Sequence, residues 1–382
     1  MKIVVAPDSF KGAASAYRAA YSIQTGWFRV RSGDRFTFLP VADGGEGTND
    51  TLLTQAGVST VIKSVTGALS GLRHGAIICV SQNDETAVVE LATAAGLTLV
   101  PECRRDPKRT TTYGFGELIA RAADVPGVKR LVLALGGSAT NDGGAGALQA
   151  LGVRLKNTAG RKLARGGAAL ADLQSADFTK ANRYPDLEIV LACDVDNPLL
   201  GDRGATAVFA PQKGATPDDI PVLEAALTRY ANVLTRDTGR DVRNVPGAGA
   251  AGGTAAGLLW LFPQATLRPG IEIVLDAIGF DDAVRDADIV ITGEGRLDAQ
   301  TLGGKAVAGV VRRTKAINPR AKIIAIVGSV SPAGHENELA RALGLDAVYP
   351  LVREGVTVDD AIRHTARHLS DAAERAAHDF SV

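Results

Sequence analysis

Acids, amides, hydroxyls and cations recur in this 382-residue chain inside short glycine-rich segments. Pro7-Asp-Ser-Phe-Lys-Gly12 offers Asp8, Ser9 and Lys11, and Pro40–Thr48 sets Asp43 and Glu46 beside three glycines. Leu131–Gly146 carries Gly136, Gly137, Ser138, Asn141 and Asp142, while Cys193–Gly201 carries Asp194, Asp196 and Asn197. A fifth stretch, Ile291–Lys305, holds Glu294, Arg296, Asp298 and Lys305. Carboxylates with an Asn side chain suit a hard cation, glycine turns and lysines suit phosphates, and a remaining carboxylate can take a hydroxyl proton. Histidine and cysteine are nearly absent from these segments, which argues against Cys or His nucleophiles and against a zinc hydrolase. No Gly-x4-Gly-Lys-Ser/Thr element is present, so each segment alone is a weak signal. Each also has a structural alternative, because acids cap helix starts and Gly, Asn and Asp build turns.

The elements that must position these groups follow from hydrophobic periodicity. Leu131–Leu135 reads as a strand buried on both faces, and a helix resumes over Ala145–Leu151. A strand, a glycine turn and a helix in that order present backbone N–H groups where anions bind well. Lys2–Ala6 and Phe36–Leu39 are predicted strands flanking a helix over Ser15–Arg29. Val61–Val65, Ala76–Val80 and Thr86–Leu91 follow each other closely enough for antiparallel pairing. Further on, the pattern predicts a helix over Tyr113–Ala123, a hairpin of Val153–Leu155 with Arg161–Leu163, a strand over Glu188–Cys193 and a helix over Asp218–Thr235. Pro246–Gly253 is a second glycine-alanine turn, again before a helix, which ends near Trp260. Strand and helix then alternate through Asp288–Thr292, Lys322–Gly328, Glu336–Leu343 and Ala347–Leu351 to one final helix from Val358. Both ends of the chain therefore read as β–α–β units of a doubly wound parallel α/β sheet. The expectation is a discontinuous domain, 1–62 plus 281–382, carrying an inserted mixed α/β domain, 63–280. Ligands in such sheets bind beyond the carboxyl ends of the strands.

Composition narrows the partners. Hydrophobic residues make up 46% and charged residues 22%, enough for packed cores. Lys plus Arg equals Asp plus Glu at 42 each, which removes the electrostatic case for a nucleic-acid or membrane-surface binder. Three scattered cysteines make neither a disulfide framework nor a zinc pattern. His364 and His368 lie four apart and share a helix face, read here as a solvated surface with no further ligand nearby. The start of the chain turns polar too quickly for a signal peptide, and no apolar run approaches the ~20 residues of a spanning helix. A soluble cytoplasmic protein is expected.

Taken together, the segments resemble those of the type I glycerate kinases, the bacterial glycerate 2-kinase family. The resemblance rests on APDSFKG at 6–12, PVADGGEGT at 40–48, LGGSATNDGGAG at 135–146, CDVDNPLLG at 193–201, APQKGA at 210–215, GAGAAGG at 247–253 and ITGEGRLDAQTLGGK at 291–305. These run in the family's order from end to end, with a small departure at Ala13-Ala14. The resemblance implies a flavodoxin-like domain with a large insert and a cleft between them. It implies transfer of the γ-phosphoryl group of ATP, with Mg²⁺, to D-glycerate, giving 2-phosphoglycerate in preference to 3-phosphoglycerate. The small-molecule partners would be D-glycerate and ATP, and a homodimer is compatible with this.

Roles carried over residue by residue are hypotheses. Lys11 and Lys305 would neutralise phosphate oxygens or the substrate carboxylate, with Asp8, Ser9 and Glu46 at the same rim. Gly136, Gly137, Ser138 and Asn141 would cradle a phosphate. Asp194, Asp196 and Asn197 are candidates for the metal, and Arg296 for clamping glycerate's carboxylate. For the general base Asp43 or Asp298 is preferred, with Asp142 and Glu294 close behind. Structural alternatives stand beside them: Asp142 capping its helix, Arg296 pairing with a neighbouring acid, Asp196 serving the turn before Pro198. Two other classes of function were weighed. A nucleotide-linked dehydrogenase lacks the Gly-x-Gly-x-x-Gly fingerprint after the first strand. A non-catalytic hydroxy-acid sensor leaves so many acid–glycine loops unexplained.

Overall fold

A computed structural model of the chain describes residues 1–10, 12–42, 48, 57–69, 71–83, 85–181, 184–298, 301 and 306–380. Its strands, in chain order, are β1 (Lys2–Pro7), β2 (Arg35–Phe38), β3 (Val58–Thr66), β4 (Arg73–Ser81), β5 (Thr86–Glu90), β6 (Arg130–Ala134), β7 (Arg154–Asn157) and β8 (Leu173–Asp177). They continue with β9 (Glu188–Ala192), β10 (Thr266–Arg268), β11 (Ile289–Gly293), β12 (Arg296–Leu297), β13 (Lys322–Val327), β14 (Ser329–Val330) and β15 (Ala347–Pro350). The chain divides into two compact units, Met1–Asp43 with Pro269–Val382, and Gly44–Arg268.

In the discontinuous unit the sheet order is β15-β13-β11-β1-β2, with every pair parallel. In order of appearance that is 5-4-3-1-2, the flavodoxin-like arrangement, with its switch point between β1 and β11. Both faces of the sheet are apolar, as the unbroken runs Ile3-Val-Val-Ala6 and Ile323-Ile-Ala-Ile-Val327 demand. Ile3, Val5, Ile291, Ile324 and Ile326 pack on one face with Ile23, Trp27 and Leu369. Val4, Ala6, Val290 and Ile323 pack on the other with Ile271, Val274, Val307 and Val310. Each such side chain contributes roughly 1.5–3 kcal/mol by burial. The helix Ala16–Phe28 starts at Ser15, whose Oγ accepts from Arg18 N. It lies so close to the helix Thr365–Asp379 that a Cβ on Gly26 would meet Ser370 O at 1.9 Å.

The inserted unit is built on the sheet β10-β9-β6-β5-β4-β3. Strands β3, β4 and β5 pair antiparallel, whereas β5, β6, β9 and β10 run parallel. One cluster of buried side chains fills this unit, including Ile78, Phe115, Leu133, Leu191, Tyr230 and Trp260. Among the described residues no helix is long and apolar enough to cross a membrane.

Several expectations are corrected. The units divide at 43/44 and 268/269 rather than at 62/63 and 280/281. The reasons are that β3 starts at Val58 and pairs along its length with β4, while Ile271, Val274 and Leu275 of the helix Gly270–Ala277 belong to the core of the first unit. The expected 153–163 hairpin is present as a short antiparallel bridge, Lys156 opposite Lys162, with Leu163 N donating to Leu155 O and Asn157 N to Arg161 O, and β7 pairs in addition with β8. The last helix is two, Val358–Arg363 and Thr365–Asp379, broken at His364. Of the two histidines expected on a solvated face, His364 is exposed as expected and His368 is buried.

The second glycine turn explains its own composition. Within the helix Ala250–Leu261, residues Ala251, Gly252 and Gly253 hold φ of 55°, 67° and 83°. Gly143 N donates to Gly252 O at 3.0 Å, and a Cβ on Gly252 would lie 2.0 Å from Thr140 O. Two backbones meet here where no side chain fits. Gly252→Ala is expected to lower stability by about 3 kcal/mol through steric overlap and a strained φ. Urea unfolding checks it, and a wild-type midpoint would show that the turns need not touch.

Candidate active site

Parallel strands deliver the first group of residues. Pro7 pairs with Gly293 in register, so the segments after β1 and β11 leave the sheet side by side. Asp8 N donates to Gly293 O at 2.8 Å, and Ser9 N to Asp8 Oδ1 at 2.6 Å. Asp8 and Glu294 are both buried carboxylates. Thr301 Oγ1 donates to Glu294 Oε1 at 2.6 Å and accepts from Asp298 N at 3.2 Å. Arg296 is exposed, with Nη2 3.0 Å from Ser331 Oγ and Nε 3.5 Å from Asp298 Oδ2.

These segments line a cavity of about 270 Å³. Its polar side is Asp8, Ser9, Glu294, Arg296 and Ser329, and its apolar side includes Phe10, Leu351, Val358 and Ile362. It sits at the carboxyl ends of β1, β11 and β13, the switch-point position of a doubly wound sheet. Acids, a hydroxyl and a guanidinium converging on a small cavity can bind a small polar anion and accept a proton from its hydroxyl. Asp298 pairs with Arg296 just after β12. Asp43, Lys11, Glu46 and Lys305 lie outside the described residues.

The inserted unit holds the second group, on the loop between β6 and the helix Ala145–Ala150. Asp142 is fully buried, and its carboxylate accepts from Thr112 N at 2.9 Å, Thr112 Oγ1 at 3.0 Å, Gly144 N at 3.1 Å and Gly146 N at 3.3 Å. Burial pushes its pKa up while these donors pull it down. Both oxygens are engaged at the helix start, so the geometry favours capping over the role of a base. Ser138 and Asn141 share the loop. Asn141 Nδ2 donates to Thr206 Oγ1 at 3.1 Å, and its Oδ1 is buried without a partner. Gly136 and Gly137 precede Ser138, and Gly137 O accepts from Leu97 N. Beyond β9, Asp196 pairs with Arg203 at 3.0 Å and Asn197 Nδ2 donates to Arg203 O at 2.7 Å. Asp194 and Asp196 both act on the nearby Cys193 thiol, which burial pushes up to about 11.

Lys213, within Ala210-Pro-Gln-Lys-Gly-Ala215, carries no role among the sequence expectations. Its side chain is 2% exposed, and Nζ donates to Ser138 Oγ at 2.8 Å and to Thr140 O at 2.7 Å. It fixes the hydroxyl expected to touch phosphate. The signal was faint: one lysine after the apolar Ala205–Phe209 turn, followed by Gly214 at φ 97°. Its partners lie more than seventy residues away in the chain.

Comparison with known proteins gives a consistent answer. The sequence profile described as the glycerate kinase family matches residues 3–381. The chain is 44% identical to the glycerate kinase of Bacillus subtilis (strain 168), covering 100% of this chain and 97% of that one. It is 39% identical to the glycerate 2-kinase of Escherichia coli (strain K12), covering 100% and 98%. Among solved structures, a protein of Salmonella typhimurium LT2 provisionally named glycerate kinase 2 superposes with a TM-score of 0.83 at 43% identity. That match covers 99% of this chain and 98% of the other.

Lys213 yields a test of its own. Burial lowers its pKa from 10.5 to about 7, opposed by the charge of Asp142. The folded chain therefore resists a proton that the unfolded chain holds. The cost is present in full below about pH 7 and is relieved as pH rises toward 10.5. Between these limits stability rises with pH by up to about 1.4 kcal/mol per unit. Denaturant unfolding across this range is expected to show that slope in the wild type and its loss in Lys213→Met. Equal slopes would refute the assignment.

Proposed function

We propose, because the chain belongs to the glycerate kinase family, a family of phosphotransferases with an alcohol acceptor, that it moves the γ-phosphoryl group of MgATP to a hydroxyl of D-glycerate. 2-Phosphoglycerate is the favoured product. The observation that carries the reading is the convergence of Asp8, Ser9, Glu294 and Arg296 on one cavity at the strand ends. A glycerate molecule offers a carboxylate and two hydroxyls, which such a set complements. We place the reaction in the cytoplasm, in keeping with three free thiols and no disulfide among the described residues.

In this proposal Arg296 orients the substrate carboxylate through its planar fork, which has donors to spare beyond Ser331. Asp8 and Ser9 hold the substrate hydroxyls. Glu294 or Asp298, with Asp43 as the alternative outside the described residues, removes the proton from the attacking hydroxyl. Ser138 and Asn141, with Gly136 and Gly137, hold phosphate oxygens. Ser138 receives a hydrogen bond from Lys213 and so keeps its own O–H to give, while Asn141 would turn its Nδ2, now donating to Thr206 Oγ1, to the phosphate. Lys11, Glu46 and Lys305 keep the roles that the family resemblance implies.

Asp194, Asp196 and Asn197 are oxygen donors of the kind Mg²⁺ takes, so their chemistry fits the ion. Asp196 must leave Arg203 to serve it. Mg²⁺, when bound, supplies charge neutralisation on the phosphate oxygens.

Coupled ADP-release assays with D-glycerate, L-glycerate and no acceptor, each with and without Mg²⁺, test the reading, with ³¹P NMR of the product. Mg²⁺-dependent turnover on D-glycerate giving 2-phosphoglycerate is expected. Absence of turnover on D-glycerate would overturn the substrate, and a 3-phosphoglycerate spectrum the regiochemistry. Among Glu294→Gln, Asp298→Asn and Asp43→Asn, one is expected to lose about 10²–10⁴-fold in kcat. Losses below tenfold in all three would remove every base named.

A further inference from the structure

Asp360, His364 and His368 follow each other at four-residue spacing near the C-terminus. The helix break falls at His364, yet the turns continue through it. His364 N donates to Asp360 O at 2.9 Å and His368 N to His364 O at 3.1 Å. All three side chains therefore stack on one face. His364 Nδ1 lies 2.9 Å from Asp360 Oδ1, and His368 Nε2 lies 2.7 Å from Asp360 Oδ2. One ligand atom from each residue falls within 4.8 Å of the others.

Charge and burial add to the geometry. Among the described residues no lysine or arginine pairs with the Asp360 carboxylate; its ion-pair partners are the two imidazoles. Their hydrogen bonds hold its pKa below the ordinary value. His368 is buried, Asp360 half-buried and His364 exposed, so solvent reaches one side of the cluster. A pocket of two imidazoles and one carboxylate, open on one side, is the donor set of a three-coordinate protein site completed by water.

We propose that Asp360, His364 and His368 bind a divalent late-transition-metal ion, with Zn²⁺ as the preferred occupant. Imidazole nitrogen favours such ions over Mg²⁺, whose ligands are oxygens. The ion takes the place of the N–H protons that now face the carboxylate. In a neutral ring that proton sits on the other nitrogen instead, so no net proton release is required. Ala361, Ile362 and Thr365, set between the ligands in the chain, line the same cavity as Asp8 and Glu294. A bound ion would brace that wall by tying the two helices together.

The test is calorimetric titration of the full chain with Zn²⁺ at pH 7.5 in a large excess of Mg²⁺, with folding of each variant checked by thermal melting. One Zn²⁺ per chain is expected, with affinity at least about tenfold weaker in both His364→Gln and Asp360→Asn. His364 is exposed, so its variant keeps the fold. Cys103→Ser, which removes the exposed thiol, is expected to bind as the wild type does. Co²⁺ should give visible ligand-field bands without a thiolate charge-transfer band. No stoichiometric binding, unchanged affinity in both ligand variants, loss of binding in Cys103→Ser, a thiolate band, or displacement by Mg²⁺ would each overturn the proposal.

Discussion

A carboxylate sealed from water at the start of the helix Ala145–Ala150 governs how the inserted unit is built. Moving such a charge into a medium of low dielectric costs of order 20 kcal/mol in the idealised limit, and several in a relaxed protein. Asp142 offsets this with N–H donors from Thr112, Gly144 and Gly146 and the Thr112 hydroxyl. Those donors dictate the sequence around it. Gly144 sits at φ 75°, and a Cβ on Gly146 would meet Thr111 Oγ1 at 2.3 Å. Thr112 Oγ1 in turn accepts from Ala147 N, so the hydroxyl caps the same helix it helps to neutralise. Lys213 brings the opposing charge and fastens it to Ser138 and Thr140. Strand end, loop and helix start therefore behave as one object, with the Ser138 hydroxyl held in place by Lys213.

The discontinuous unit solves a different problem by different means. Its acids stand at the rim of a parallel sheet, where strand register sets the positions of their backbone. The ladders come close enough only because of glycine. A Cβ on Gly293 would lie 2.0 Å from Ile326 O, and one on Gly328 would lie 2.3 Å from Gly295 O. With those contacts bare, the segment carrying Glu294 and Arg296 runs beside the end of β13, Gly328 N and Ser329 N donating to Glu294 O and Gly295 O, and β12 pairs parallel with β14. The cavity thus inherits its precision from strands buried on both faces, which are the least deformable elements of the unit.

What could be read from the chain alone follows from which forces are local. Apolar runs and helix caps act over a few residues, so β1, β6, β11, β13 and the helices Tyr113–Ala123 and Glu336–Leu343 fall where periodicity puts them. The strand-end segments were legible for the same reason, and so was the convergence of Asp8 with Glu294 once the sheet was taken as doubly wound. Lys213 was not, because its meaning lies in Ser138 and Thr140, far away in sequence, and in a desolvation that no composition reports. Nor was Asp360 recognised as the third member of the His364–His368 face. An aspartate in a helix's first turn reads as a charge complementing the helix start, and only the continued hydrogen bonding through His364 brings it under both rings. The domain boundary at 268/269 was hidden in the same way: Ile271, Val274 and Leu275 look like any amphipathic helix until their core partners are known.

The engagement of Asp196 with Arg203 bears on the proposed cation site less than it first suggests. Both side chains are largely exposed, at 75% and 71%. Exposed pairs of this kind are worth about 0–1 kcal/mol, since water and salt already screen them. A divalent ion, were it held by Asp194 and Asp196 as proposed, would gain more from two carboxylates than the guanidinium forfeits. Asp142 presents the opposite case. It is the same residue type, yet its oxygens are held by backbone amides of Thr112, Gly144 and Gly146, and withdrawing it would strand them in the interior. The same residue type is thus held by an exposed, weak pair in one loop and locked by buried amides in the other, and the difference lies in what its partners would do without it.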